Sequence, residues 1–215
     1  MEKDCIDIDA VLFYCSMTRL RQSYALMMNA GCRLDGAMNF VMDSHIALVG
    51  LPGSGKSTIG RYLARRWSVP FVDVDVAIEE QIQCSIREFF AKEGEDRFRE
   101  VEQDVLAQLL KKPEKMVIAT GGGAVLKPEN RAQLARHSLV VYLSASPHEI
   151  ARRLQKDTQR PLLQVGNPLQ RLQELHGIRD PLYKEVADFV VAGSGLSATQ
   201  VAQRVAMQLE LGASR

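Results

Sequence analysis

What this sequence lacks narrows it first. It has almost no net charge: 27 Lys and Arg stand against 26 Asp and Glu in 215 residues, a formal +1. No global field therefore draws nucleic acid or an anionic membrane, and any anion must be held by cations placed locally. No apolar run approaches membrane-spanning length. The opening Met1-Glu2-Lys3-Asp4 is acidic rather than basic, which argues against a secretory signal, so a cytoplasmic enzyme with no membrane or nucleic-acid partner is expected. Cysteine is sparse: Cys5, Cys15, Cys32 and Cys84 show none of the close paired spacings of zinc sites, and a cytosolic redox poise argues against disulfides. Internal repeats and low-complexity tracts are missing too. The length suits one substantial α/β domain with an appendage.

What is there is organised around Gly50-Leu51-Pro52-Gly53-Ser54-Gly55-Lys56-Ser57-Thr58, which satisfies the G-x-x-x-x-G-K-[ST] phosphate-loop pattern at every fixed position. Glycines without Cβ let successive backbone N–H groups close around an anionic oxygen. Lys56 offers a mobile point charge for the β- and γ-phosphates, and the Ser57 hydroxyl is a hard oxygen ligand suited to Mg²⁺. Upstream, His45-Ile46-Ala47-Leu48-Val49 is an apolar run typical of a buried parallel strand. Downstream, Ile59, Tyr62, Leu63 and Trp67 recur at helical spacing, so phosphate would meet a helix N-terminus. Gly53, Ser54, Gly55, Lys56, Ser57 and Thr58 are the candidate ATP-phosphate residues.

The rest of the chain alternates strands and helices. Residues 1–44 hold six of the eight methionines and three of the four cysteines without sustained periodicity. They read as an N-terminal extension, poorly ordered or non-native, with Met38 or Met42 as alternative starts, ahead of a kinase domain at 45–215. Pro70-Phe71-Val72-Asp73-Val74-Asp75 reads as a strand ending in two carboxylates on one face. Ser85-Ile86-Arg87-Glu88 is a capping box for a short helix that Gly94 closes, and an amphipathic helix follows from Glu95. Met116-Val117-Ile118-Ala119-Thr120 is a strand running into Gly121-Gly122-Gly123, whose lack of side chains implies close backbone approach. Leu139-Val140-Val141-Tyr142-Leu143 and Asp188-Phe189-Val190-Val191 are further strands. Helix starts are expected at Ser146-Pro147-His148-Glu149 and Ser197-Ala198-Thr199-Gln200. The polar, proline-containing stretch at about 156–168 suits a lid over phosphates. This pattern predicts an α/β fold: a doubly wound parallel sheet in three α/β/α layers with ligands at one sheet edge.

Several motifs, in order, make the sequence resemble the shikimate kinases over roughly residues 43–211. They are the loop continued as Ser57-Thr58-Ile59-Gly60-Arg61-Tyr62-Leu63-Ala64, then Asp73-Val74-Asp75, Phe98-Arg99-Glu100-Val101-Glu102, the triple glycine, Arg160-Pro161-Leu162 and Arg179-Asp180-Pro181-Leu182-Tyr183. The resemblance implies a P-loop, nucleoside monophosphate kinase-like fold with five parallel strands. It implies ATP-dependent phosphorylation of the shikimate 3-hydroxyl with Mg²⁺, by a monomer whose partners are ATP and shikimate. By the same resemblance Asp75, Arg99, Gly122 and Arg179 hold shikimate, and Ser57 and Asp73 serve Mg²⁺. Arg160 reaches ATP from the lid, Arg153 flanks the adenine, and Lys56, Asp75 and Arg160 carry catalysis. The chemistry agrees: planar guanidinium groups recognise a carboxylate bidentately, and Asp75 can accept a hydroxyl proton. Gluconate and nucleoside monophosphate kinases share loop and fold, and a silent nucleotide-binding module is the reading from a different class.

Overall fold

The computed structural model describes residues 44–154 and 167–212. Nearly all of the expected extension, and the body of the expected lid with Arg160, lie outside the described residues. Asn167 and Pro168, placed at the end of that lid by the sequence, instead open a helix. The Asn167 carboxamide caps it by accepting from the Leu169 and Gln170 N–H groups.

Five strands form one all-parallel sheet in the order β2-β3-β1-β4-β5. They are β1 (His45–Val49), β2 (Phe71–Asp73), β3 (Val117–Ala119), β4 (Ser138–Ser144) and β5 (Phe189–Ala192). β1 lies at the centre, buried at every position because helices cover both faces. Its alternate residues divide between two cores. Ile46 and Leu48 pack with Ile59, Leu63 and Trp67 of α1 (Lys56–Trp67) and with Val201, Val205 and Leu209 of α7 (Ala198–Gly212). Ala47 and Val49 face the other way. They pack with α2 (Val74–Ile82), α3 (Ile86–Leu110), α4 (Pro128–His137), α5 (Pro147–Leu154) and α6 (Pro168–Val186). This is the expected three-layer, doubly wound architecture. The chain fills one side of β1 before crossing to the other, and that reversal leaves a crevice at the C-terminal strand ends.

The expected capping boxes form. Ser85 Oγ accepts from the Glu88 N–H while Glu88 accepts from the Ser85 N–H. Ser146 Oγ likewise accepts from the Glu149 N–H, and Ser197 and Gln200 bond reciprocally. Gly94, at φ 81° and ψ 177°, breaks α3 where the sequence places a helix end, but the chain resumes helix at once, so one kinked element replaces two separate ones. Three helices were not anticipated: α2, α4 and α6. α4 buries only Asn130 and Leu134, and α6 carries Pro181 in its interior.

A further expectation is corrected. Asp73 and Asp75 do not share a strand face, because β2 ends at Asp73 and Val74 begins α2. Asp73 is an N-cap in extended backbone, and its Oδ1 accepts from the Asp75 N–H at 3.2 Å. An Asp here stabilises the helix start more than one further strand residue would. Asp75 consequently occupies the first turn of α2, where the helix dipole favours a carboxylate.

Candidate active site

The five strand ends deliver the polar residues to one edge. After β1, Gly50, Gly53 and Gly55 take φ values of 146°, 83° and 98°, conformations closed to most side chains, and Gly55 is the N-cap of α1. Lys56 is 9% exposed, and its ammonium donates to the Gly50 and Leu51 carbonyls at 2.8 and 3.0 Å, so the loop itself aims the charge. Next along α1, Ser57 Oγ donates to Asp73 Oδ2 at 2.6 Å. α1 and β2 thus present two oxygen atoms side by side. A cleft of about 290 Å³ continues from Gly53, Ser54, Gly55 and Thr58 toward Arg153, Gly193 and Ser197.

The loop after β5 borders that cleft and is fastened by α5. Glu149 accepts from the Gly195 N–H at 2.9 Å and from Ser194 Oγ at 2.8 Å, bonds that hold its carboxyl below the usual range. Arg153 donates to the Gly193 carbonyl at 3.2 Å.

On the other side of the phosphate loop, the triple glycine approaches four partners closely. A Cβ on Gly121 would lie 2.6 Å from Glu102 Oε1 and 2.9 Å from Asp75 Oδ1; on Gly122, 2.7 Å from Pro52; on Gly123, inside the Arg99 guanidinium. The sequence expectation of close backbone approach therefore holds at each position. Arg99 is not an exposed surface residue: its side chain is 13% exposed and pairs with Glu102 at 2.6 Å and Glu95 at 3.0 Å. Burial opposes the charge on Arg99, yet the two carboxylates hold its guanidinium above the ordinary value.

Glu102 was quoted within the F-R-x-x-E pattern and given no role. It is 1% exposed, and its Oε1 has no hydrogen-bond partner among the described residues. Burial raises its pKa and the Asp75 carboxylate adds to the rise, against the pull of Arg99 and Arg179. The Arg99-to-Glu102 spacing of three on a helix is the signal that predicts the pair. Tyr183 was also passed over. Its hydroxyl donates to the Gly122 carbonyl at 2.6 Å, and burial pushes its pKa up to about 12 although Arg179 pulls the other way. Asp75, Arg99 and Arg179 therefore gather around the buried Glu102 carboxylate and the Gly121–Gly123 turn beside the phosphate loop. Arg160 is the expected site residue that lies outside the described residues.

A phosphate loop, a paired hydroxyl and carboxylate at its helix, and an adjacent pocket of opposed charges on a five-stranded parallel sheet define a P-loop kinase with the nucleoside monophosphate kinase-like fold. Comparison with known proteins resolves the class further. The family model described as shikimate kinase matches residues 52–210, and the chain belongs to that family. The shikimate kinase of Paracidovorax citrulli is 52% identical over 172 residues, covering 79% of this chain and 94% of its own. That of Ralstonia nicotianae is 47% identical over 168 residues, covering 78% and 88%. Among solved structures, shikimate kinase from Acinetobacter baumannii in complex with shikimate aligns with a TM-score of 0.75 at 41% identity, over 81% of this chain and 97% of that one. A gluconokinase from Sinorhizobium meliloti, at 22% identity and a TM-score of 0.56, shares the fold.

Proposed function

We propose that this protein transfers the γ-phosphoryl group of ATP to the 3-hydroxyl of shikimate. The observation that carries the assignment is the convergence of Arg99, Arg179, Asp75 and the triple glycine beside the phosphate loop, within a chain of the shikimate kinase family. Shikimate carries one carboxylate and several hydroxyls. Arg99 and Arg179 bind the carboxylate, the Gly122 backbone closes the pocket against it, and Asp75 orients the reacting hydroxyl and accepts its proton.

On the donor side, the loop amides of Gly53, Ser54, Gly55 and Thr58 hold the phosphates and Lys56 follows the charge of the transferring group. Arg153 flanks the adenine at the mouth of its cleft. Arg160 is assigned to the transferring phosphate on its motif alone. Ser57 and Asp73 fit Mg²⁺: both offer hard oxygen atoms, and these lie 2.6 Å apart. Such a sparse set suits a metal that keeps water and phosphate oxygens as its remaining ligands. When bound, Mg²⁺ neutralises phosphate charge.

ATP consumption measured in parallel with shikimate, gluconate, CMP and AMP tests the assignment. Shikimate alone should stimulate turnover. Stimulation by another acceptor and not by shikimate, or by none of the four, overturns it.

A further inference from the structure

The acceptor pocket is lined by residues from distant parts of the chain, which raises the question of what fixes their spacing. Arg179 and Gly122 belong to different elements, and an error of an ångström between them would displace a small rigid acceptor. Tyr183 stands between the two. It lies one helical turn beyond Arg179 on α6, so both side chains leave the same face. Its ring is fully buried and packs on Tyr142, with centroids 5.0 Å apart and planes inclined by 30°. Its hydroxyl has one proton, committed to the Gly122 carbonyl at 2.6 Å, and the Arg179 charge stands near enough to oppose the rise of its pKa. From the other side Gly122 abuts Pro52 of the phosphate loop.

We propose that Tyr183 is a positioning residue for the phosphoryl acceptor: its hydroxyl ties α6, one turn beyond Arg179, to the triple-glycine turn and so sets the distance between the carboxylate clamp and the phosphate loop. The inference rests on the assignment of shikimate to this pocket. The neighbouring tyrosine provides a matched contrast. The Tyr142 hydroxyl donates to Asp180 at 2.8 Å, and Asp180 turns to Lys184 at 2.8 Å and His176 at 3.7 Å, none of them acceptor-binding groups. Removing either hydroxyl deletes one oxygen from the same ring pair, but only that of Tyr183 leads into the pocket.

Steady-state kinetics on Tyr183→Phe, Tyr142→Phe, Arg179→Lys and the Tyr183→Phe/Arg179→Lys double variant test this. Tyr183→Phe should raise the KM for shikimate about tenfold and leave the KM for ATP within about twofold, the loss of one hydrogen-bonded constraint. Tyr142→Phe should lower the Tm with both KM values unchanged. In the Arg179→Lys background, Tyr183→Phe should add less than about threefold, because residues that act as a unit are not additive. An unchanged KM for shikimate, an equal rise in both KM values, an equal effect of Tyr142→Phe, or full multiplicativity each overturn the inference. So does a Tyr183→Phe protein that fails to fold where Tyr142→Phe folds, since the hydroxyl would then hold the fold and not the acceptor. Wild-type protein without shikimate-dependent turnover would instead refute the functional assignment itself.

Discussion

The two halves of the site are built on opposite plans. The phosphate loop at the centre of the nucleotide half is a contiguous stretch, shaped by three glycines and the start of α1. The proposed acceptor half is drawn from α2, α3, α6 and the triple-glycine turn, elements joined by contacts such as that of the Tyr183 hydroxyl with the Gly122 carbonyl, 61 residues apart. A phosphate cradle made of amides depends on local conformation. A carboxylate clamp made of guanidinium groups depends on long-range packing, so it is the half more exposed to damage from distant substitutions.

Breaking the contact between the halves gives the largest effect. Asp75→Asn should lower kcat by about 10²- to 10⁴-fold, the range for a lost general base, without changing the Mg²⁺ concentration for half-maximal rate. An equal shift in Mg²⁺ dependence for the Asp73 and Asp75 variants would show one joint metal site instead of two tasks.

Next comes the acceptor half alone. Arg99→Met should raise the KM for shikimate about 10- to 100-fold, as expected for a lost charge-assisted bond, and spare the KM for ATP. It also leaves Glu102 buried without its cation. A carboxyl whose folded pKa lies above its unfolded value binds more protons in the native state, so stability falls as pH rises through that window. The Tm deficit of Arg99→Met relative to wild type should therefore be greatest at pH 7 and shrink toward pH 5, checked by thermal melts at both. A deficit that grows on acidification would contradict the direction of the Glu102 shift.

The donor half should respond less. Asp73→Asn is expected to raise the Mg²⁺ requirement by about three- to tenfold while leaving the Tm nearly constant, because Asn caps a helix about as well as Asp. The smallest effect is at Glu149. Glu149→Gln weakens the fastening of the 193–197 loop and should raise the KM for ATP by only about two- to fivefold, since neutral hydrogen bonds replace charge-assisted ones. A larger change in the KM for shikimate than for ATP would place Glu149 in the wrong half.

The same contrast governs what was legible in the sequence. The phosphate loop, the buried strands and the caps at Ser85, Ser146 and Ser197 are local, and the structure has them where the residues indicate. α4 was invisible because its sequence buries just two residues and shows no apolar stripe. α6 was hidden by Gly177 and Pro181, ordinarily helix breakers, which tertiary packing overrides. Asp75 was misplaced because β2 passes into α2 with no intervening turn to mark the change. In the pocket, Arg99, Gly122 and Arg179 were legible only through family motifs. The buried partners Glu102 and Tyr183 lay inside those motifs but received no role, since nothing in linear spacing tells how deeply a helix face is covered.

Gly122 occupies the seam where the halves meet, with Pro52 pressed against the place a methyl group would fill. Its carbonyl faces Tyr183, so room cannot be made by moving in that direction either. In evolutionary terms the position is a dead end for gradual change. Alanine there would press on Pro52 of the donor loop while its carbonyl is held by the acceptor helix, so the position resists change for as long as Pro52 stands. A library varying position 122 alone should return the wild-type residue, and one varying Pro52 as well should admit others.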